Sequence, residues 1–299
     1  MNRVIGFIPE DYGAAQTQGR RNYQEDDFDA RLDLRGRANG SAAPDLLAVL
    51  ADGMGGENAG DVASAMAVRG FMDAYRERRR RGTPRQRLDV ALEQANDAIG
   101  QATSDDPSLS GMGCTLVALL IEETHAWWIS VGDSPLWLYR DRSLIRLNAD
   151  HSYGGLLDEM VREGRIEPET ASRSRRRNLL ISAITGASIS RISRSNEGLE
   201  LRAGDLFILA SDGLLSLTES EICHELDPER APDDMARGLI SAVDAKDLRA
   251  QDNATVQVVR CIDRLEARRA PWWNPLRPSA SLMFTLTIAL SLAGLAQGQ

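Results

Sequence analysis

The sequence predicts an α+β protein in which antiparallel sheets are covered by helices. Short apolar runs of strand length repeatedly end or begin at an acidic residue beside glycine, asparagine or serine, and two long stretches carry apolar residues at helical spacing. The strands and helices come in pairs instead of alternating strictly, and that order favours antiparallel sheets with helices outside them.

The first strand runs from Leu46 to Leu50 and leads into Ala51-Asp52-Gly53-Met54-Gly55-Gly56, so a buried strand delivers a carboxylate onto a glycine turn. A helix follows, with Ala63, Ala67, Phe71 and Ala74 on one face; it runs into the basic stretch Arg76 to Arg81 before Gly82 and Pro84 stop it. Positive charge is favourable at a helix C-terminus, so that stretch needs no functional role. A second helix presents Leu88, Ala91, Leu92, Ala95, Ala98 and Ile99. Three strands come next, Thr115 to Ile121, His125 to Val131 and Leu136 to Tyr139, and they read as an antiparallel meander.

Between Asp150 and Asn178 the chain turns polar, with Gly154, Gly155, Gly164 and a basic tract at Arg173, Arg175, Arg176 and Arg177; this reads as an inserted flap. The tract could attract phosphorylated or acidic segments, or be an ordinary solvated charge run. Asp205 to Ala210 is a further strand, ending at Ser211-Asp212-Gly213-Leu214. Helical stretches near Glu219 to Leu226 and Pro232 to Val243 lead to Asp252-Asn253 and a last strand, Ala254 to Cys261.

Composition narrows the function. A formal net charge of -9 argues against a nucleic-acid surface and suits a protein that collects cations. Cys114, Cys223 and Cys261 are odd in number and widely spaced, unlike a disulfide or zinc framework, which points to a reducing, cytoplasmic setting. No apolar run long enough for a signal peptide follows Met1. At the other end, Leu282 to Ala296 holds five leucines with Met283, Phe284 and Ile288, no charge follows Arg277, and Arg264, Arg268, Arg269, Trp272 and Trp273 stand upstream. That tail reads as a membrane anchor, the alternative being a buried or oligomer-forming helix.

Four residues share one local architecture: Asp52, Asp133, Asp212 and Asp252 each sit where a strand starts or ends. A strand edge fixes the carboxylate's direction, and an adjacent glycine allows close approach to the backbone. Oxygen ligands with only three histidines in the chain suit hard cations such as Mg²⁺ or Mn²⁺, and two such ions can activate a water for attack on phosphorus. Each Asp-Gly alone is more often an ordinary turn; four on strand ends reverse those odds.

With these residues in view the sequence resembles the PP2C-type (PPM) metal-dependent serine/threonine protein phosphatases, particularly the bacterial ones. The resemblance rests on Gly19-Arg20-Arg21-Asn22-Tyr23-Gln24-Glu25-Asp26, Ala51-Asp52-Gly53-Met54-Gly55-Gly56, Gly113-Cys114-Thr115, Val131-Gly132-Asp133-Ser134, Asp150-His151-Ser152, Ser211-Asp212-Gly213 and Asp252-Asn253, in family order from about Gly13 to about Val259. It implies a four-layer α/β/β/α sandwich over residues 1–262 with a flap at about 152–178, a basic linker at 263–279 and the hydrophobic tail at 280–299. It also implies that Asp52 bridges two Mn²⁺ or Mg²⁺ ions, that the Gly53 carbonyl joins one shell, and that Asp212 and Asp252 hold the other ion. Glu25 and Asp26 would act near or through metal-bound waters, Asp133 with Asp212 would form a third, weaker site, and Arg21 would bind the substrate phosphate. A guanidinium fork matches phosphate oxygens and stays charged at any working pH.

Three departures stand out. Met54 replaces the histidine of eukaryotic relatives, which leaves the general acid unassigned; Pro135 replaces an arginine and could alter substrate recognition; Cys114 replaces a threonine and reads as a packing change. His151 reads as structural. The function so implied is hydrolysis of phosphoserine and phosphothreonine in proteins phosphorylated by a kinase of the same cell, by a metal-activated water at a dinuclear centre on the cytoplasmic side of an inner membrane. The alternative is a membrane-tethered module that binds phosphoproteins with weak or no turnover.

Overall fold

The structure is a computed structural model, and it describes residues 5–6, 9–33, 45–55, 59–78 and 81–263. Gly56, Arg79, Arg80 and nearly all of the expected linker and tail, from residue 264 on, lie outside the described residues. Among the described residues no helix is long and apolar enough to cross a membrane.

A short pair joins β1 (Ile5–Gly6) to β14 (Ile262–Asp263). The first large sheet has the order β10 (Ser193–Arg194), β7 (His125–Val131), β6 (Leu116–Glu122), β4 (Asp45–Met54) and β3 (Asp26–Asp33). β11 (Leu199–Glu200) also pairs with β7, and β5 (Gly113–Cys114) with β4. The second sheet has the order β2 (Tyr12–Thr17), β13 (Ala254–Arg260), β12 (Leu206–Ala210), β8 (Leu136–Arg140) and β9 (Ser143–Arg146). All pairings are antiparallel.

The period-2 alternation of side chains builds the layers. On β4, Leu46, Ala48 and Leu50 pack with Val117 and Leu119 of β6 against Phe207, Leu209, Leu136 and Leu138 of the second sheet. The alternate residues Leu47, Val49 and Ala51 face Phe71, Leu88 and Leu92 of α1 (Gly60–Arg78) and α2 (Pro84–Asp105). On the far side Leu206, Ile208, Val256 and Val258 meet Met235, Leu239 and Val243 of α6 (Pro232–Ala245), with Ile222 of α5 (Glu219–Glu225). Strands buried on both faces explain why β4, β6 and β12 read as unbroken apolar runs. α3 (Tyr153–Arg162) and α4 (Pro168–Ser172) lie in the segment between β9 and β10.

The meander expectation is corrected. β6 and β7 pair, but β8 leaves for the second sheet, where it joins β12 and β9. The crossing is made at Gly132, with φ +101°, followed by Asp133, Ser134 and Pro135. Pro84 does not only stop the first helix; it opens α2 behind a Thr83 and Gln86 capping box. β3, polar and at a sheet edge, carries no apolar run to announce it.

Candidate metal and phosphate site

The ends of β4, β7 and β12 and the starts of β3 and β13 meet at one edge of the sandwich, and each brings a carboxylate. Asp26 on β3 stands opposite Asp52 on β4 in register. The Asp52 backbone is fixed by Thr115, whose Oγ1 accepts from Asp52 N at 3.1 Å and whose N donates to Asp52 O at 2.9 Å. Asp26, only 7% exposed, reaches across the sandwich: its Oδ2 accepts from Ser211 Oγ and Thr255 Oγ1, both at 2.7 Å. Gly53 is required by crowding, since a Cβ there would lie 2.1 Å from Gly60 O.

Asn253 organises the loop before β3. Its Oδ1 accepts from Glu25 N at 2.8 Å, and its Nδ2 donates to Gln18 O at 2.9 Å and Tyr23 O at 3.0 Å. This holds Arg21 over the site, where its Nη2 lies 2.5 Å from Asp252 Oδ2. The other oxygen of Asp252 accepts from Asn253 N at 2.9 Å.

Asp133 follows β7 after Gly132, and Asp212 follows β12 after Ser211. Arg146 donates to Asp133 O at 2.7 Å and pairs with Asp150 at 3.3 Å. His151 is buried, with its Nδ1 accepting from Gly132 N at 3.2 Å and its backbone N donating to Gly132 O at 3.0 Å; burial lowers its pKa to about 4. It therefore serves as a neutral brace under the Gly132 crossing.

The electrostatics are those of crowded acids. Burial, then repulsion from Asp26, Asp212, Asp133 and Asp252, lifts Asp52 well above the usual carboxylate range. Burial pushes Asp26 up to about 6 against the pull of Thr255 and Ser211, and pushes Asp133 up to about 7 with help from Asp212 and Asp150. Asp212 is raised by burial and by Asp252, and a hydrogen bond with Asp52 pulls it back. Glu25, chiefly through burial, is also raised.

These residues fit hard divalent cations on three counts. The donors are oxygens; the Oδ1 of Asp26 is buried without a partner; and the mutual repulsion is met by few side-chain cations, Arg21 and Arg146. Among the described residues, however, no three His, Cys, Asp or Glu side chains already close on a common point as a ligand set. Both oxygens of Asp252 are engaged, one by Arg21 and the other by Asn253 N.

All seven expected ligand positions, Glu25, Asp26, Asp52, Gly53, Asp133, Asp212 and Asp252, lie at this edge together with Arg21. The supporting residues Ser211, Thr255, Thr115 and Asn253 were not singled out by the sequence, although Asn253, Thr115 and Ser211 stood inside its motifs. Pro135 is buried, with its carbonyl accepting from Ala210 N at 3.1 Å, so it shapes the strand crossing. Cys114 is fully buried, as a packing residue should be.

The sequence profile of the family described as Protein phosphatase 2C matches residues 29–253, so the chain belongs to that family. It is 33% identical over 217 residues to the serine/threonine phosphatase stp of Listeria monocytogenes, covering 71% of this chain and 83% of that protein. It is 36% identical over 168 residues to the serine/threonine protein phosphatase PstP of Mycobacterium tuberculosis, covering 56% of this chain but only 31% of that longer protein. Among solved structures, the catalytic domain of PstP in complex with two manganese ions aligns with a TM-score of 0.67 at 30% identity, over 88% of this chain and 100% of that one. The α+β sandwich and a dinuclear Mn²⁺ or Mg²⁺ centre are thus properties of the family to which the chain belongs.

Proposed function

We propose that the chain is a metal-dependent protein serine/threonine phosphatase. The observation that carries this reading is the gathering of Asp26, Asp52, Asp133, Asp212 and Asp252 from separate strand ends, with Arg21 above them. In that reading residues 1–262 are the catalytic unit, and Asp52, Asp212, Asp252 and the Gly53 carbonyl hold two ions. Glu25 and Asp26 would act near or through waters of the ions, and Asp133 with Asp212 would offer a third position. When bound, the ions lower the pKa of a water and neutralise phosphoryl oxygens.

The chain's own residues do the rest. Asp252 would be among the residues that hold a cation, and the Arg21 guanidinium beside it has the fork that would bind the substrate phosphate. Asn253 keeps that arginine at a fixed height, and Ser211 and Thr255 orient Asp26. His151, braced and buried, is not positioned as the general acid. The phosphoester substrates are products of a serine/threonine kinase in the same cell.

The test is manganese-dependent hydrolysis of p-nitrophenyl phosphate and a phosphothreonine peptide. Asp52→Asn and Asp212→Asn should each lower the rate by roughly a hundredfold or more. Rates equal to the wild type would overturn the assignment. With Pro135 buried, no observation favours the docking-only alternative. The stretch 280–299 is the proposed anchor of a cytoplasmic catalytic unit at the inner membrane. Deleting the chain after Pro278 should then shift the protein from the membrane to the soluble fraction, and an intact protein already soluble defeats the idea.

A further inference from the structure

The segment between β9 and β10 carries more arginines than its carboxylates neutralise. Arg177 pairs with Asp158 at 2.5 Å, Arg165 with Glu163 at 3.2 Å and Arg191 with Glu159 at 4.0 Å. Arg173, Arg175 and Arg176, on the turn after α4, are exposed and make no ion pair among the described residues. In a chain of net charge -9 this is a local reversal of sign. Beside it, Leu179 is 59% exposed, an apolar residue left in water next to three free guanidinium groups.

The turn is tied to the acidic edge. Arg177 O accepts from Gly154 N at 2.7 Å, Leu180 bridges to Ser152, and Ile181 N donates to His151 O at 2.9 Å. His151 is the residue that braces Gly132, next to Asp133. Further on, Ile184 bridges to Cys114, which stands in register with Gly53. The stretch from Leu180 to Ile184, bridged at its two ends to Ser152 and Cys114, therefore runs beside the acidic edge. Arg176 O accepts from Leu179 N at 3.0 Å, so the turn folds back and keeps its arginines close to Leu180.

We propose that Arg173, Arg175 and Arg176, with Leu179, form a docking surface for an acidic segment of the phosphoprotein substrate that flanks the phosphorylated side chain. This rests on the phosphatase reading and adds a preference to it. A bound segment held at the acidic edge by its phosphate brings its flanking carboxylates or further phosphates to the turn. Arginine forks bind such groups bidentately, and the surplus positive charge also steers an acidic partner toward a molecule that otherwise repels it.

The experiment uses the full chain with Mn²⁺ and labelled phosphothreonine peptides that differ only in flanking residues, acidic on one side, acidic on the other, or neutral. Hydrolysis and fluorescence anisotropy are both read for wild type and for the triple variant Arg173→Ala, Arg175→Ala, Arg176→Ala. In the wild type one acidic peptide should be preferred over the neutral one by about tenfold in kcat/KM, and the advantage should shrink as salt is raised. The variant should lose that advantage while hydrolysing p-nitrophenyl phosphate and the neutral peptide normally. No preference in the wild type, or a preference that survives in the variant, overturns the proposal and leaves a solvated charge run. Anionic vesicles bound through these arginines without any peptide preference would also overturn it. If p-nitrophenyl phosphate is not hydrolysed at all, the phosphatase reading fails separately, and the anisotropy difference between wild type and variant still decides the docking surface.

Discussion

Asn253 shows how one side chain can hold a site that it does not enter. Its amide receives Glu25 N and donates to two carbonyls of the 18–25 loop, so it sets where Arg21 and Glu25 stand. Each such bond contributes about 1 kcal/mol, and Asn253→Ala should therefore destabilise the protein by roughly 2–3 kcal/mol in urea unfolding. Its KM should rise on a phosphothreonine peptide and on p-nitrophenyl phosphate alike, since the loop's task is to present Arg21 to the phosphate that both carry. An unchanged KM on both substrates would mean that Asn253 supports the fold alone. The motif reading found Asp252 beside it because a carboxylate at a strand start carries an obvious chemistry. The partners of Asn253, 228 to 235 positions away, leave no local trace.

At the scale of elements, the crossing from β7 to β8 decides how the acids converge. Had the three strands formed one meander, Asp133 would have stayed in a turn of the first sheet. Instead Gly132 adopts φ +101°, and a Cβ there would meet Thr115 Cβ and Cγ2 at 2.6 Å. Thr115 in turn positions Asp52 and its Oγ1 lies 2.6 Å from Ser134 Oγ. Gly132→Ala should cost about 2–3 kcal/mol or more and weaken Mn²⁺ binding in titration calorimetry. Gly111→Ala is the control: its φ is +86° but nothing lies within 4 Å, so it should cost only about 1 kcal/mol and leave Mn²⁺ affinity intact. Similar behaviour of the two variants would show that backbone strain, not the push on Thr115, is what matters. The strand limits of β7 were legible from composition. Its partner change was not, because strand pairing depends on residues far along the chain.

The whole molecule stores repulsion at one edge of the sandwich and offsets it with the burial of three apolar layers. Asp26 and Asp133 have folded-state pKa values of about 6 and about 7, above the ordinary 3.8, so the folded state binds more protons than the unfolded one. Their contribution is present at low pH and is lost as pH rises from about 4 to about 7. Chelated protein should lose thermal stability across that window. Mn²⁺ should restore it, with a larger rise in Tm at pH 7.5 than at pH 5, where protons compete for the same oxygens. A rise in Tm that is the same at both values would place the ion elsewhere.

By itself the sequence determined the chemistry. Oxygen donors on strand ends, glycine beside them, an arginine ahead of Glu25 and Asp26, and short unbroken apolar runs are local patterns, and local patterns follow from local steric and solvation preferences. Tertiary structure alone decided that β8 belongs to the second sheet, that Ser211 and Thr255 hold Asp26 across the sandwich, and that Arg21 occupies Asp252. Those are contacts between residues as much as 231 positions apart, selected by which faces can be buried together and which charges are then forced to be neighbours.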